Sequence, residues 1–231
     1  MVKSRTLVRW IGRESPNPYN KYDIVKAKPS DVHKEAKLWR EFRELNLKTV
    51  KGSSSQNWIE IPDSGVARAD GSPLANSTVE TSILPGGAIF TAPNNFFTLG
   101  QAVRWYAAGR VSTTGTPTLR LKLCYSATAN TNVLADTTAL TTGSGLANNT
   151  WWWRGQMICR ADGTAANVMA ISELIGVTGT ATQVQVPATA PAVSSNFDGT
   201  GSQPIQLTAL WGTASASNTI TLHMFLLELL N

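Results

Sequence analysis

Thr118-Leu119-Arg120-Leu121-Lys122-Leu123-Cys124-Tyr125 alternates from end to end. Leu119, Leu121, Leu123 and Tyr125 point one way, and Thr118, Arg120, Lys122 and Cys124 point the other. Period two belongs to an extended strand with one face on a core. Working outward, the same alternation predicts strands at 58–61, 78–84, 101–111, 151–161, 166–174, 182–186, 204–211 and 218–230, eight or nine in all. Turn residues separate them: Pro85-Gly86-Gly87, Pro93-Asn94-Asn95, and Asp162-Gly163, a tight-turn signal. No convincing helical period interrupts the series. The fold class expected for 58–231 is therefore all-β, an antiparallel jelly-roll-like β-sandwich. The small, polar loops at 127–132, 141–149 and 188–201 are expected at its ends.

Two segments carry more than a strand signal. In 218–230, Ile220, Leu222, Met224, Leu226 and Leu230 share one parity, and Phe225, Leu227 and Leu229 share the other. Apolar residues on both faces imply a strand central in its sheet or buried against another subunit. Phe225, Leu227 and Leu229 are thus the expected oligomer interface. Trp151-Trp152-Trp153 reads in three ways: a stacking platform for sugar rings, a contact with a neighbour, or core. Parity sends Trp151 and Trp153 inward with Met157 and Cys159, and turns Trp152 outward with Arg154, Gln156 and Arg160.

Charge divides the chain differently from hydropathy. Residues 1–57 hold 13 of the 20 Lys+Arg and 6 of the 15 Asp+Glu, a net of +7. Residues 58–231 hold the other 7 basic and 9 acidic residues, a net of −2, so only 16 of 174 are charged. An ordinary soluble domain carries roughly a quarter. A free enzyme keeps a charged skin for solubility, whereas a coat of Thr, Ser, Ala, Asn and Gly implies a surface that faces neighbours. The 1–57 segment reads as a basic arm that attaches the body. Its first 29 residues mix Arg5, Arg9, Trp10, Tyr19 and Tyr22 with prolines and are expected to be extended. Ser30 can cap a helix. Val32, Ala36, Trp39, Phe42 and Leu45 then form one apolar stripe, predicting an amphipathic helix over about 31–46. A Gly/Ser hinge follows at 51–57. Arg5, Arg9, Trp10, Tyr19, Tyr22, Trp39 and Phe42 are the expected partner-binding residues, since aromatic and Arg side chains carry most interface energy.

Little in the sequence supports chemistry. Asp63, Asp70, Glu80, Asp136, Asp162, Glu173 and Asp198 are scattered, and no segment pairs two carboxylates at strand spacing for glycoside hydrolysis. His223 sits in an apolar strand with no nucleophile elbow nearby. There is no P-loop, dinucleotide fingerprint or metal-ligand cluster, so neither cofactor nor metal is expected. Cys124 and Cys159 match no zinc spacing and are expected to be free thiols. Acidic residues dilute the arm's field, so nucleic acid is not the expected partner. Glu35, Glu41 and Glu44 oppose anionic lipid, and no run approaches a spanning helix. No apolar run of signal-peptide length follows the charged first residues, so secretion by that route is not expected.

Several stretches together carry a resemblance. Ala75-Asn76-Ser77-Thr78-Val79-Glu80-Thr81-Ser82-Ile83-Leu84 is followed by Ile89-Phe90-Thr91-Ala92-Pro93. Gly100-Gln101-Ala102-Val103-Arg104-Trp105-Tyr106-Ala107-Ala108-Gly109 comes next, then Gly115-Thr116-Pro117-Thr118-Leu119-Arg120, and a strand over 152–163 that ends in Arg160, Asp162 and Gly163. This pattern, over roughly 74–231, resembles the small jelly-roll structural proteins of tailed bacteriophages. The resemblance implies a virion protein of the capsid decoration (cement), head-fibre or tail-fibre type, usually trimeric. With the composition, it predicts a non-enzymatic protein that cements a capsid in the virion, assembled in the host bacterial cytoplasm. Its arm would dock on the major capsid protein or another virion protein, and its body would form a homotrimer. The alternative is a tail-fibre or receptor-binding module that reads a host glycan.

Overall fold

The computed structural model describes residues 6–10, 22–26, 59–60, 64–179 and 183–230. The chain divides by its internal contacts into Met1–Gln56 and Asn57–Asn231. Within the first unit, β1 (Thr6–Trp10) and β2 (Tyr22–Lys26) pair antiparallel, from Thr6↔Lys26 to Trp10↔Tyr22. Extended backbone was expected there, but not its pairing. The predicted helix at 31–46 and the 51–57 hinge lie outside the described residues.

The second unit is an antiparallel sandwich. Its strands are β3 (Ile59–Glu60), β4 (Leu74–Ala75), β5 (Thr81–Ser82), β6 (Phe90–Ala92), β7 (Ala102–Ser112), β8 (Thr118–Tyr125) and β9 (Val133–Asp136), then β10 (Leu140–Thr141), β11 (Asn149–Ala161), β12 (Asn167–Ile175), β13 (Gln183–Val186), β14 (Ala192–Val193), β15 (Gln203–Trp211) and β16 (Thr219–Leu230). The larger sheet runs β13-β12-β11-β7-β16-β3, with β14 on β12 and β4 on β16. The smaller runs β10-β8-β15-β5, with β6 on β15 and β9 on β8. In the larger sheet β16, the last strand of the chain, lies between β3 and β7. The strand predicted over 78–84 is only Thr81–Ser82, ending where Ile83 and Leu84 turn into the core.

The long alternating segments become the long strands because each buries every second side chain between the sheets. Leu119, Leu121, Leu123 and Tyr125 are buried from β8, as are Val103, Trp105 and Ala107 from β7, and Ile205, Leu207, Ala209 and Trp211 from β15. Full burial of each large side chain stabilises by roughly 1.5–3 kcal/mol. Trp151 and Trp153 are also wholly buried, and their indole N–H groups find acceptors. Trp151 Nε1 donates to the Arg110 carbonyl at 3.2 Å, and Trp153 Nε1 donates to Ser172 Oγ at 3.0 Å. Trp105 packs edge-on against Trp153, with ring centroids 5.5 Å apart. That packing requires Gly155, because a Cβ there would stand 2.3 Å from the Trp105 ring.

Two expectations about faces are corrected. In β16 the register steps from Leu222↔Gly109 to Met224↔Ala108, leaving His223 as an extra residue. This bulge switches the parity halfway along the strand. Ile220 and Leu222 point inward before it, and Phe225 and Leu227 point inward after it, both buried within the same core. Leu229 is half-buried and packs against that core. Phe225 and Leu227 are therefore packed inside their own chain's core, and Leu229 rests against it. The far edge of β16 is closed by the chain's own segment: Ala67 N donates to the Phe225 carbonyl at 3.0 Å, and Leu227 N to the Gly65 carbonyl at 2.9 Å.

The second correction is in β8. Its polar face is not solvated throughout, since Lys122 and Cys124 are buried on it. Glu80 and Asn130, far apart in sequence, close over that face of the smaller sheet.

Candidate interaction face

Residues opposite one another in register point to the same side of a sheet, so register alone arranges the outer face of the larger sheet into rows. One row reads Ile175, Trp152, Ala108, Met224. The next reads Gln185, Glu173, Arg154, Tyr106, Leu226. Then come Ile171, Gln156, Arg104, Glu228, and finally Met169, Ile158, Ala102, Leu230. Trp152 is 43% exposed, Ile158 47%, Ile171 36% and Met224 45%. These four are most of the large apolar side chains left in solvent among the described residues, and they share one face.

The charges of this face's two central rows are matched across strands. Arg154 pairs with Glu173 across β11 and β12, and Arg104 Nη1 lies 3.3 Å from Glu228 Oε2 across β7 and β16. Arg110 Nη1 donates to Thr150 Oγ1 at 2.7 Å and to the Asn148 carbonyl at 3.2 Å. Such half-exposed pairs add little stability. Their effect is to neutralise the two central rows, while Arg110 meets only neutral acceptors. Between the two central pairs lies an open depression of about 410 Å³ lined by Arg104, Tyr106, Arg154, Gln156, Ile171 and Glu173.

The described acidic residues are mostly engaged in single contacts. Asp70 Oδ1 lies 2.8 Å from His223 Nδ1 and ties down the β16 bulge. Asp136 forks onto Arg120, and this hydrogen bond with the carboxylate charge holds the guanidinium pKa above its ordinary value. Asp198 accepts from the side chain and backbone of Thr200, which lowers its pKa. Cys124 and Cys159 are free and buried, and burial pushes both thiol pKa values up, away from nucleophilic reactivity.

Of the predicted arm residues, Arg9 and Trp10 stand in β1 and Tyr22 in β2, with Trp10 and Tyr22 opposite each other. Arg5, Tyr19, Trp39 and Phe42 lie outside the described residues. The parity reading of the tryptophan triplet matches the structure, with Trp152 alone outward. Ile158, Ile171 and Met224 were not singled out as surface residues, because aligning them requires the register of four strands.

Neither a family model nor a curated protein matches the chain. Among solved structures it is similar to a chain in "Structure of infectious bursal disease virus Gx strain", at 12% identity and a TM-score of 0.21. The match covers 77% of this chain and 42% of that one, so the chain spans less than half the length of its match. A likeness at that score carries no argument about function.

Proposed function

We propose that the chain is a non-enzymatic structural protein of a virion, of the tailed-bacteriophage kind, that decorates and cements the capsid. The sandwich body, jelly-roll-like in its winding, self-associates as a homotrimer through the outer face of its larger sheet. The basic N-terminal unit docks on the major capsid protein or another virion protein. The observation that carries this reading is that Trp152, Ile158, Ile171 and Met224, most of the exposed large apolar side chains among the described residues, fall on one face whose central charges are paired. The four are spread over three rows with the Arg154–Glu173 and Arg104–Glu228 pairs among them, a mixed apolar and polar composition like that of a non-obligate interface. The rest of the body is so poor in charge that close approach by neighbours meets little repulsion. Many copies on one shell would turn modest affinity per copy into collective stabilisation.

Binding of the full chain to purified empty heads, compared with a chain beginning at Asn57, tests the docking role of the first unit. The full chain should co-sediment with the heads and the shortened chain should not. Equal binding by the two would remove the attachment role. The tail-fibre reading has one feature in its favour, an exposed Trp152 beside Arg154 and Gln156, a flat aromatic flanked by hydrogen-bonding groups. A reproducible hit for the full chain on a glycan array, lost in Trp152→Ala, would favour it over cementing.

A further inference from the structure

The roofed face of the smaller sheet holds a lysine in an unusual setting. Lys122 is 3% exposed, and its Nζ lies 2.5 Å from Glu80 Oε2 and 2.5 Å from Asn130 Oδ1. The other oxygen of Glu80 accepts a hydrogen bond from Thr208 Oγ1 at 2.7 Å, which fixes the carboxylate. Asn130 has φ 60° at the tip of the turn between β8 and β9. That turn is closed by Tyr125 N donating to the Asn132 carbonyl at 2.9 Å and by Asn132 Nδ2 donating to the Tyr125 carbonyl at 3.1 Å. A primary amine, a carboxylate able to take its proton, and a carboxamide carbon one bond beyond the contacted oxygen therefore meet at one point. Two strands, β8 and β15, and the two loops that carry Glu80 and Asn130 hold them there.

We propose that Lys122 and Asn130 join through an intramolecular isopeptide bond, with Glu80 as the proton carrier. Nζ gives a proton to Glu80 Oε2, and the free amine attacks Asn130 Cγ. The terminal torsion of an Asn side chain is soft, so a small rotation presents the face of the carbonyl to the amine. The new Nζ–Cγ bond forms as the carbonyl electrons move onto oxygen. Their return expels Nδ2. Two protons leave Nζ in all, carried by Glu80, and both depart with the Asn nitrogen as ammonium. Lysine ammonium plus carboxamide becomes a secondary amide plus ammonium; no oxidant or further reactant enters. Fixed approach supplies the effective concentration such a slow reaction needs. Asn130 sits at the solvent edge, which gives the ammonium an exit. The bond would lock the β8–β9 turn to the sheet at one end of the sandwich.

The intact mass of the full chain under denaturing conditions tests this directly. The expected mass is the sequence mass less one ammonia, and a proteolytic fragment should join the peptide of Lys122 to that of Asn130. Lys122→Arg, Asn130→Ala and Glu80→Gln should each show the mass of their own sequence, while Asn130→Asp should lose water in place of ammonia. A wild-type chain at its full sequence mass overturns the proposal, whether or not the variants fold. A deficit that persists in Lys122→Arg also overturns it, since the ammonia would then have left from elsewhere.

Discussion

At the scale of single residues, burial decides which groups are silent and which are exposed to chemistry. Cys124 lies 3.9 Å from Thr208 Oγ1, and Cys159 donates to the Ala161 carbonyl at 3.1 Å. Burial, the largest influence on both, raises their pKa above the ordinary 9.0. Tyr125 is raised from 10.0 for the same reason, with Asp198 adding to it. The folded chain therefore holds these groups neutral where the unfolded chain has begun to ionise. By linkage, the stability they contribute is intact below about pH 9 and declines as pH rises through and beyond it. Urea unfolding followed from pH 7 to pH 10 should show that decline. Cys124→Ala with Cys159→Ala should flatten its lower part and leave the later Tyr125 component. An unchanged slope in the double variant would show that the thiols titrate alike in both states. The same scale explains why no catalytic group was legible and why the Lys122 site was missed. Lys122 reads as an outward residue of an alternating strand, and its partner Glu80 lies 42 residues away, so nothing local announces their meeting.

At the scale of elements, alternation located the long strands well and failed where one residue was added or where a strand was too short to alternate. Thr118–Tyr125 forms as read, and the opposite fates of Trp152 and Trp153 follow from parity alone. In β16 the inserted His223 shifts the phase, so Phe225 and Leu222 share the core face although their spacing is odd. A period-two pattern has no means of recording that step, which is set by the register against β7. The short strands β4, β5, β6, β9, β10 and β14 carry too few residues to show any period. The corrected placement of Phe225 has a measurable consequence. Phe225→Ala should destabilise the fold by about 3–5 kcal/mol through a core cavity. Val79→Ala, at an exposed position off the proposed interaction face, should fall within about 0.5 kcal/mol of wild type. Chemical denaturation of the two variants checks this, and comparable small losses at both positions would return Phe225 to the surface.

At the scale of the whole molecule, the division between a basic N-terminal segment and a charge-poor body is plain in composition, and so is the sandwich class of the body. The proposed interaction face was not, because no strand contributes more than two of its exposed apolar residues. Trp152 and Ile158 come from β11, Ile171 from β12 and Met224 from β16. They become one surface only through pairing across four strands. The account rests on that surface being covered by further copies of the chain. Sedimentation equilibrium of the full chain measures this most directly. The account predicts a particle of three times the chain mass, reduced to one chain by Trp152→Glu with Ile158→Glu in a variant whose far-ultraviolet spectrum is unchanged. A wild-type chain that remains at single-chain mass across the micromolar range would contradict it.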